Sequence, residues 1–136
     1  MSFLIDTDLL SMLERKQVLP KLAAWIQNNE ADIFLSVVSF AELQFGIDRA
    51  PATHKASLTT WLADMRRKLA TATEDLNEPV LIRWKELLAD LKVKNRTMAC
   101  EDSLIAATAL FHGHTVATRH KRHFEPAGVQ MVDPLA

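Results

Sequence analysis

Three acids lie far apart in the chain: Asp6 in "IDTD", Glu42 in "SFAEL" and Asp102 in "EDSLIAATAL". Carboxylates brought to one point repel one another and raise each other's pKa values unless they share a cation. An all-oxygen set of this kind suits Mg²⁺ or Mn²⁺. Each acid also has a simpler explanation. Ser39 to Glu42 spells the S-x-x-E pattern of a capping box. Glu101 and Asp102 suit a helix N-terminus, at about 0.3–1 kcal/mol each. Asp8 suits the N-cap of the first helix, a role worth about 1 kcal/mol. Asp6 fits such explanations least well. It follows the apolar run Phe3-Leu4-Ile5, and a carboxylate closing a buried strand is costly unless a cation or hydrogen bonds satisfy it.

The elements around these acids decide whether they can meet. Phe3-Leu4-Ile5 reads as a short buried strand, followed by a helix through Leu9, Leu10 and Leu13. A second helix starts near Pro20, with Leu22, Trp25 and Ile26 on one face. Ile33 to Val38 is the clearest strand, and the helix after it is expected to open at Ser39 with Glu42 in its first turn. Leu58, Trp61, Leu62, Met65 and Leu69 recur every three or four residues, as do Val80, Leu81, Trp84, Leu87, Leu88 and Leu91, which predicts two amphipathic helices. Residues 72–76 between them are read as a short strand, and Asn77 as the cap of the second helix. Leu104 to Phe111 is apolar nearly all round, so that helix is expected to be buried and to stop at Gly113. Thr115 to Thr118 and Val129 to Val132 complete the strands.

Strands alternating with helices imply right-handed βαβ units: an α/β fold with a mostly parallel central sheet of four to five short strands, flanked by helices on both faces. Ligands of such a sheet sit outside the carboxyl ends of its strands. Asp6 closes one strand, Glu42 follows another, and Asp102 opens a helix running back toward a third. All three are therefore expected on one rim.

The chain's 136 residues, 49% of them hydrophobic, suit a single domain spanning 1–136 with one sizeable core. A net charge of −1 gives no overall basic field, so a nucleic-acid partner must be held by a local patch. One cysteine, Cys100, excludes an internal disulfide and suits a reducing cytoplasm, the expected location. Asp6, Glu14 and Asp32 interrupt any apolar run of the roughly 18–20 residues that a membrane span needs. No basic leader precedes Phe3, and Asp6 falls where the apolar core of a signal peptide would be.

With these residues placed, the sequence resembles the PIN-domain ribonucleases, and among them the VapC-type toxins of bacterial toxin–antitoxin pairs. The resemblance runs over essentially the whole chain, through "FLIDTDLLSML", "LSVVSFAELQFGI", "EDSLIAATAL" and "VATRHKRHFEPAGVQMVDP". Four such stretches in the family's order and spacing are far more specific than any one. The resemblance implies a PIN-like fold and a metal-dependent endoribonuclease in which Asp6, Glu42 and Asp102 bind Mg²⁺ or Mn²⁺ and position the water that cuts an RNA phosphodiester. It also implies a small VapB-type antitoxin whose C-terminal segment blocks the acidic groove. Assembly is expected as a homodimer or toxin–antitoxin hetero-oligomer, through the helices carrying Trp61 and Trp84.

Two positions depart from the family pattern. Where relatives commonly read DTN, the third residue here is Asp8, read as a helix cap and as an additional candidate ligand. Many relatives carry a fourth acid in the stretch that reads "TRHKRHF" here; His120 and His123 stand in its place, and His120 is a further candidate metal ligand. Thr118 ends the strand within reach of a water or phosphate. Arg119, Lys121 and Arg122 are expected to contact RNA phosphates, because their basic run lies beside the acids. Rival readings are a haloacid-dehalogenase-type phosphatase with Asp6 as nucleophile, a metal-independent ribonuclease using His120 and His123, and a non-catalytic PIN-like binding module.

Overall fold

The computed structural model describes residues 1–14 and 19–136. The elements run in the order β1 (Phe3–Ile5), α1 (Thr7–Met12), α2 (Pro20–Asn29), β2 (Ile33–Ser36), α3 (Val37–Asp48), α4 (Ala52–Lys68), β3 (Thr73–Glu74), α5 (Glu78–Val93), α6 (Cys100–His112), β4 (Thr115–Ala117), α7 (Lys121–Phe124) and β5 (Met131–Val132). Five strands form one sheet in the order β3-β2-β1-β4-β5, and every pairing is parallel. The expected architecture is the observed one.

β1 is apolar throughout because both of its faces are covered. Leu4 points toward α5 and α6, into a core with Leu87, Leu91, Ile105, Ala106 and Val116. Phe3 and Ile5 point the other way, with Leu35 of β2, against Leu9, Leu10, Leu22 and Leu62 from the layer of α1 to α4. Leu4, Leu9 and Leu22 are wholly buried, each stabilising the fold by about 1.5–3 kcal/mol relative to exposure. α6 buries Ile105, Ala106, Ala107 and Ala109 and ends where Gly113 takes the left-handed conformation, with φ of 76°. Asn77 caps α5 as expected, its side chain accepting from the Val80 N–H at 3.2 Å.

β3, β4 and β5 are each shorter than the sequence reading expected, and two helix starts differ from it in ways that concern the site. β2 stops at Ser36, whose hydroxyl accepts from the Val38 N–H at 3.0 Å, so Ser36 caps α3. Val37 and Val38 are helical despite their β-branched preference. Glu42 therefore lies in the second turn of α3 and forms no capping box with Ser39. At the first helix the cap is Asp6, which accepts from the Leu9 N–H at 2.9 Å; Asp8 sits inside the first turn and caps nothing.

Among the described residues no helix is long and apolar enough to cross a membrane.

Candidate active site

The sheet ladder itself delivers the first acid. The Asp6 N–H donates to the Ala117 carbonyl at 3.0 Å, and the Thr118 N–H donates to the Val132 carbonyl at 2.9 Å, so the two residues end adjacent strands side by side. Thr118 then donates its hydroxyl to Asp6 Oδ2 at 2.5 Å, while Oδ1 takes the Leu9 N–H. Asp6 is only 5% exposed. Burial pushes its pKa above the ordinary 3.8, and the neighbouring Asp8 charge adds to the rise, although both hydrogen bonds oppose it.

Glu42 is aimed by α1. Thr7 donates its hydroxyl to Glu42 Oε1 at 2.6 Å and stands 2.8 Å from the buried Ser39 hydroxyl. Burial raises the Glu42 pKa, and the charges of Glu101, Asp102 and Asp6 raise it further. Asp102 projects from the first turn of α6. Burial again raises its pKa, Glu101 raises it more, and His123 and His120 oppose the shift. The three acids named from sequence thus line one groove of about 590 Å³.

Asp8 behaves differently. Arg119 donates to it from Nε at 2.6 Å and from Nη2 at 3.4 Å, and His120 Nε2 lies 3.1 Å from the same carboxylate. Burial pushes the Asp8 pKa up, but the hydrogen bond and charge of Arg119, helped by His120, hold it below its ordinary value. Asp8 is therefore the anionic half of an ion pair, and Arg119 is turned onto it. His120 donates its backbone N–H to Thr118 Oγ1 at 2.9 Å and stacks on His123 with ring centres 5.1 Å apart. Lys121 and Arg122 lie exposed on α7 and line a second hollow that shares His120 and His123 with the acid groove.

The groove also has an apolar wall that the sequence reading missed: Leu43 and Ile47 from α3, Leu58 and Trp61 from α4. The amphipathic spacing of α4 marked these faces as apolar, yet nothing local said that part of the stripe would border the acids. Trp84 turns inward, donating Nε1–H to Ser103 Oγ at 2.9 Å. A second polar cluster was also unforeseen: Glu74 at the end of β3, with His112 and His114.

Among the described residues, no group of three or more His, Cys, Asp or Glu side chains is already arranged to hold a metal ion. The donor chemistry nevertheless fits one. Three carboxylates with raised pKa values share a groove, and a shared cation would offset the charge that burial and neighbouring acids make costly there. Oxygen donors favour Mg²⁺ or Mn²⁺.

Comparison with known proteins agrees with this architecture. A family model described as the PIN domain matches residues 3–129. VapC ribonuclease Y4jK of Sinorhizobium fredii is 29% identical over 133 residues, covering 96% of this chain and 95% of the relative. Toxin FitB of Neisseria gonorrhoeae is 29% identical over 134 residues, covering 96% of each. The solved structure of FitAcB from N. gonorrhoeae superposes with a TM-score of 0.88 at 29% identity over 98% of both chains. A DNA-bound VapBC structure from Salmonella typhimurium also gives a TM-score of 0.88 over 98% of both chains; at 21% identity it speaks for the fold alone.

Proposed function

Because this chain belongs to the PIN-domain family, we propose that it is the endoribonuclease toxin of a toxin–antitoxin pair, a single PIN domain over 1–136 that hydrolyses RNA phosphodiesters with a divalent metal. One observation carries the reading: Asp6, Glu42 and Asp102 converge in a groove with their pKa values raised, while neighbouring Asp8 has its charge matched by Arg119. Carboxylates kept close at this cost are placed for a cationic ligand. The relatives named as ribonucleases and as a toxin support the same activity.

Asp6, Glu42 and Asp102 would hold Mg²⁺ or Mn²⁺, which when bound lowers the pKa of a water and offsets charge developing on the phosphate. The protein does the positioning. Thr118 and the Leu9 N–H fix Asp6 in one orientation, so its carboxylate does not reorganise as the reaction proceeds. Thr7 does the same for Glu42. Lys121 and Arg122 offer charge to the RNA backbone from the adjoining hollow. The apolar wall of Leu43, Ile47, Leu58 and Trp61 gives the groove a surface that excludes water on one side.

The same groove suits the antitoxin: a basic side chain for the acids and an apolar stretch for the wall. The solved FitAcB and FitAB structures, 29% and 28% identical to this chain, support a second-protein partner, and the FitAB one is bound to a DNA fragment. The chain is read as working in the cytoplasm, where its RNA substrate lies.

The test is to map new RNA ends in total RNA after brief induction, comparing wild type with Asp6→Asn and Asp102→Asn. Discrete ends and growth arrest in wild type, absent from both variants, are expected. Equal toxicity in all three would sink the mechanism. Intact RNA in every case, with Mn²⁺ supplied to the purified protein, would favour the binding-module reading.

A further inference from the structure

His123 is the imidazole that faces Asp102. Its Nδ1 lies 3.9 Å from Asp102 Oδ2, and its side chain is 60% exposed on α7. That distance is too long for a hydrogen bond. Neighbouring donors on one octahedral ion with bonds of about 2.1 Å stand about 3.0 Å apart, so a small turn of this exposed ring would bring both onto a shared cation. The ring is otherwise held in place. It stacks on His120 with the planes 17° apart, and His120 is fixed at two points, by its N–H to Thr118 Oγ1 and by Nε2 to Asp8. Arg119 locks Asp8 from the other side, and Thr118 is bonded to Asp6. His123 is therefore presented to the groove by a chain of contacts that begins at the first acid. Among the described residues its ring has no hydrogen bond that would explain that placement structurally.

We propose that His123 supplies an imidazole nitrogen to the metal held by Asp6, Glu42 and Asp102, and so biases the site toward first-row transition ions such as Mn²⁺ over Mg²⁺. The inference rests on reading the rim as a metal centre. Mg²⁺ prefers oxygen donors and gives up its waters reluctantly. Imidazole nitrogen gives a first-row transition ion a bond that Mg²⁺ does not value equally. His120 is not the ligand in this arrangement. Its Nε2 is committed to Asp8, and its part is to orient His123, as a neighbour that positions a metal ligand does.

The experiment loads the full chain with Mn²⁺ and reads pulsed electron paramagnetic resonance for coupling to a directly bound ¹⁴N, with Mn²⁺ and Mg²⁺ affinities measured by calorimetry. Wild type is expected to show the nitrogen coupling. His123→Asp and His123→Gln are expected to lose it, and the Mn²⁺-to-Mg²⁺ affinity ratio is expected to fall by about tenfold in His123→Asp. Circular dichroism checks that these exposed substitutions leave the fold intact. Mn²⁺ binding without nitrogen coupling, or coupling that survives both substitutions, overturns the inference and leaves the three-carboxylate centre standing. Mn²⁺ binding no tighter in wild type than in Asp6→Asn overturns both.

Discussion

At the end of β3, Glu74 gives one carboxylate oxygen to His114 at 3.0 Å and the other to His112 at 3.1 Å; at the rim, Asp102 stands 3.9 Å from His123 and is bonded to neither histidine. The Glu74 cluster is closed. His114 Nδ1 is 2.6 Å from the Ser2 hydroxyl, and its ring stacks on Phe34 at 4.6 Å. At the rim, burial raises the pKa values of three acids, with further rises from Asp8 at Asp6, from Glu101 at Asp102, and from Glu101, Asp102 and Asp6 at Glu42. Among the described residues no lysine or arginine neutralises the group as Arg119 neutralises Asp8. Polar groups that satisfy each other hold a structure together. Acids held together at raised pKa, hydrogen-bonded but without a matching charge, suit a cation that arrives later.

The sharpest way to break this comparison is to neutralise one rim acid. Asp6→Asn or Asp102→Asn is expected to slow RNA cleavage by about 10³-fold, equivalent to roughly 4 kcal/mol of transition-state stabilisation, in a single-turnover assay with Mn²⁺. Stability should not fall with it. Glu74→Ala is expected to do the reverse. It strands two histidines and should cost about 2–3 kcal/mol, lowering Tm by roughly 10 °C, while cleavage per folded molecule stays within about twofold of wild type. Loss of activity without loss of stability in Glu74→Ala would erase the distinction between the two clusters.

A smaller effect concerns pH. Because burial raises the Asp6 pKa in the folded state, the neutral carboxyl is favoured there. Its contribution is fully present below the unfolded value and is lost as pH rises through the raised folded one. Wild type should therefore gain stability relative to Asp6→Asn as pH falls from 7 toward the ordinary 3.8, as read by thermal melts in chelator. Adding Mn²⁺ at pH 7 should stabilise wild type as well, by binding only the folded form, and chelator should reverse it. Smallest of all, Asp8→Ala removes a pair whose side chains are 35% and 36% exposed, so solvent screening keeps the stability cost below about 1 kcal/mol in a denaturant titration.

Much of the fold was legible because β1 and α6 carry unmixed signals: an unbroken apolar triplet, and a helix of leucine, isoleucine and alanine that only a buried setting tolerates. The capping motifs misled because two candidates lay within a few residues at each helix start. Ser36 caps α3 while Ser39 lies inside its first turn, and the Glu42 pattern favoured the wrong one; tertiary context then overrode the strand preference of Val37 and Val38. Asp6 and Asp8 raised the same ambiguity, and the strand–strand bond from Asp6 to Ala117 settled it in favour of Asp6. The three acids themselves could be placed on one rim from topology alone. What escaped was every contact between distant segments: Thr7 with Glu42, Arg119 with Asp8, His123 beside Asp102, and the tryptophan on the groove wall. None leaves a local trace, since each joins residues brought together only by the finished sheet.

The strand order carries a consequence for the order of events in folding. β1 lies between β2 and β4, so Phe3 pairs with Ile33 on one side and with Thr115 on the other. The second pairing closes a loop of more than a hundred residues, a slow and late kind of contact. Thr118 reaches Asp6 only after that closure. A growing chain can thus build its first helices and half its sheet before Thr118 and Asp6 meet, and a fragment ending before residue 115 is expected to be harmless to the cell that makes it.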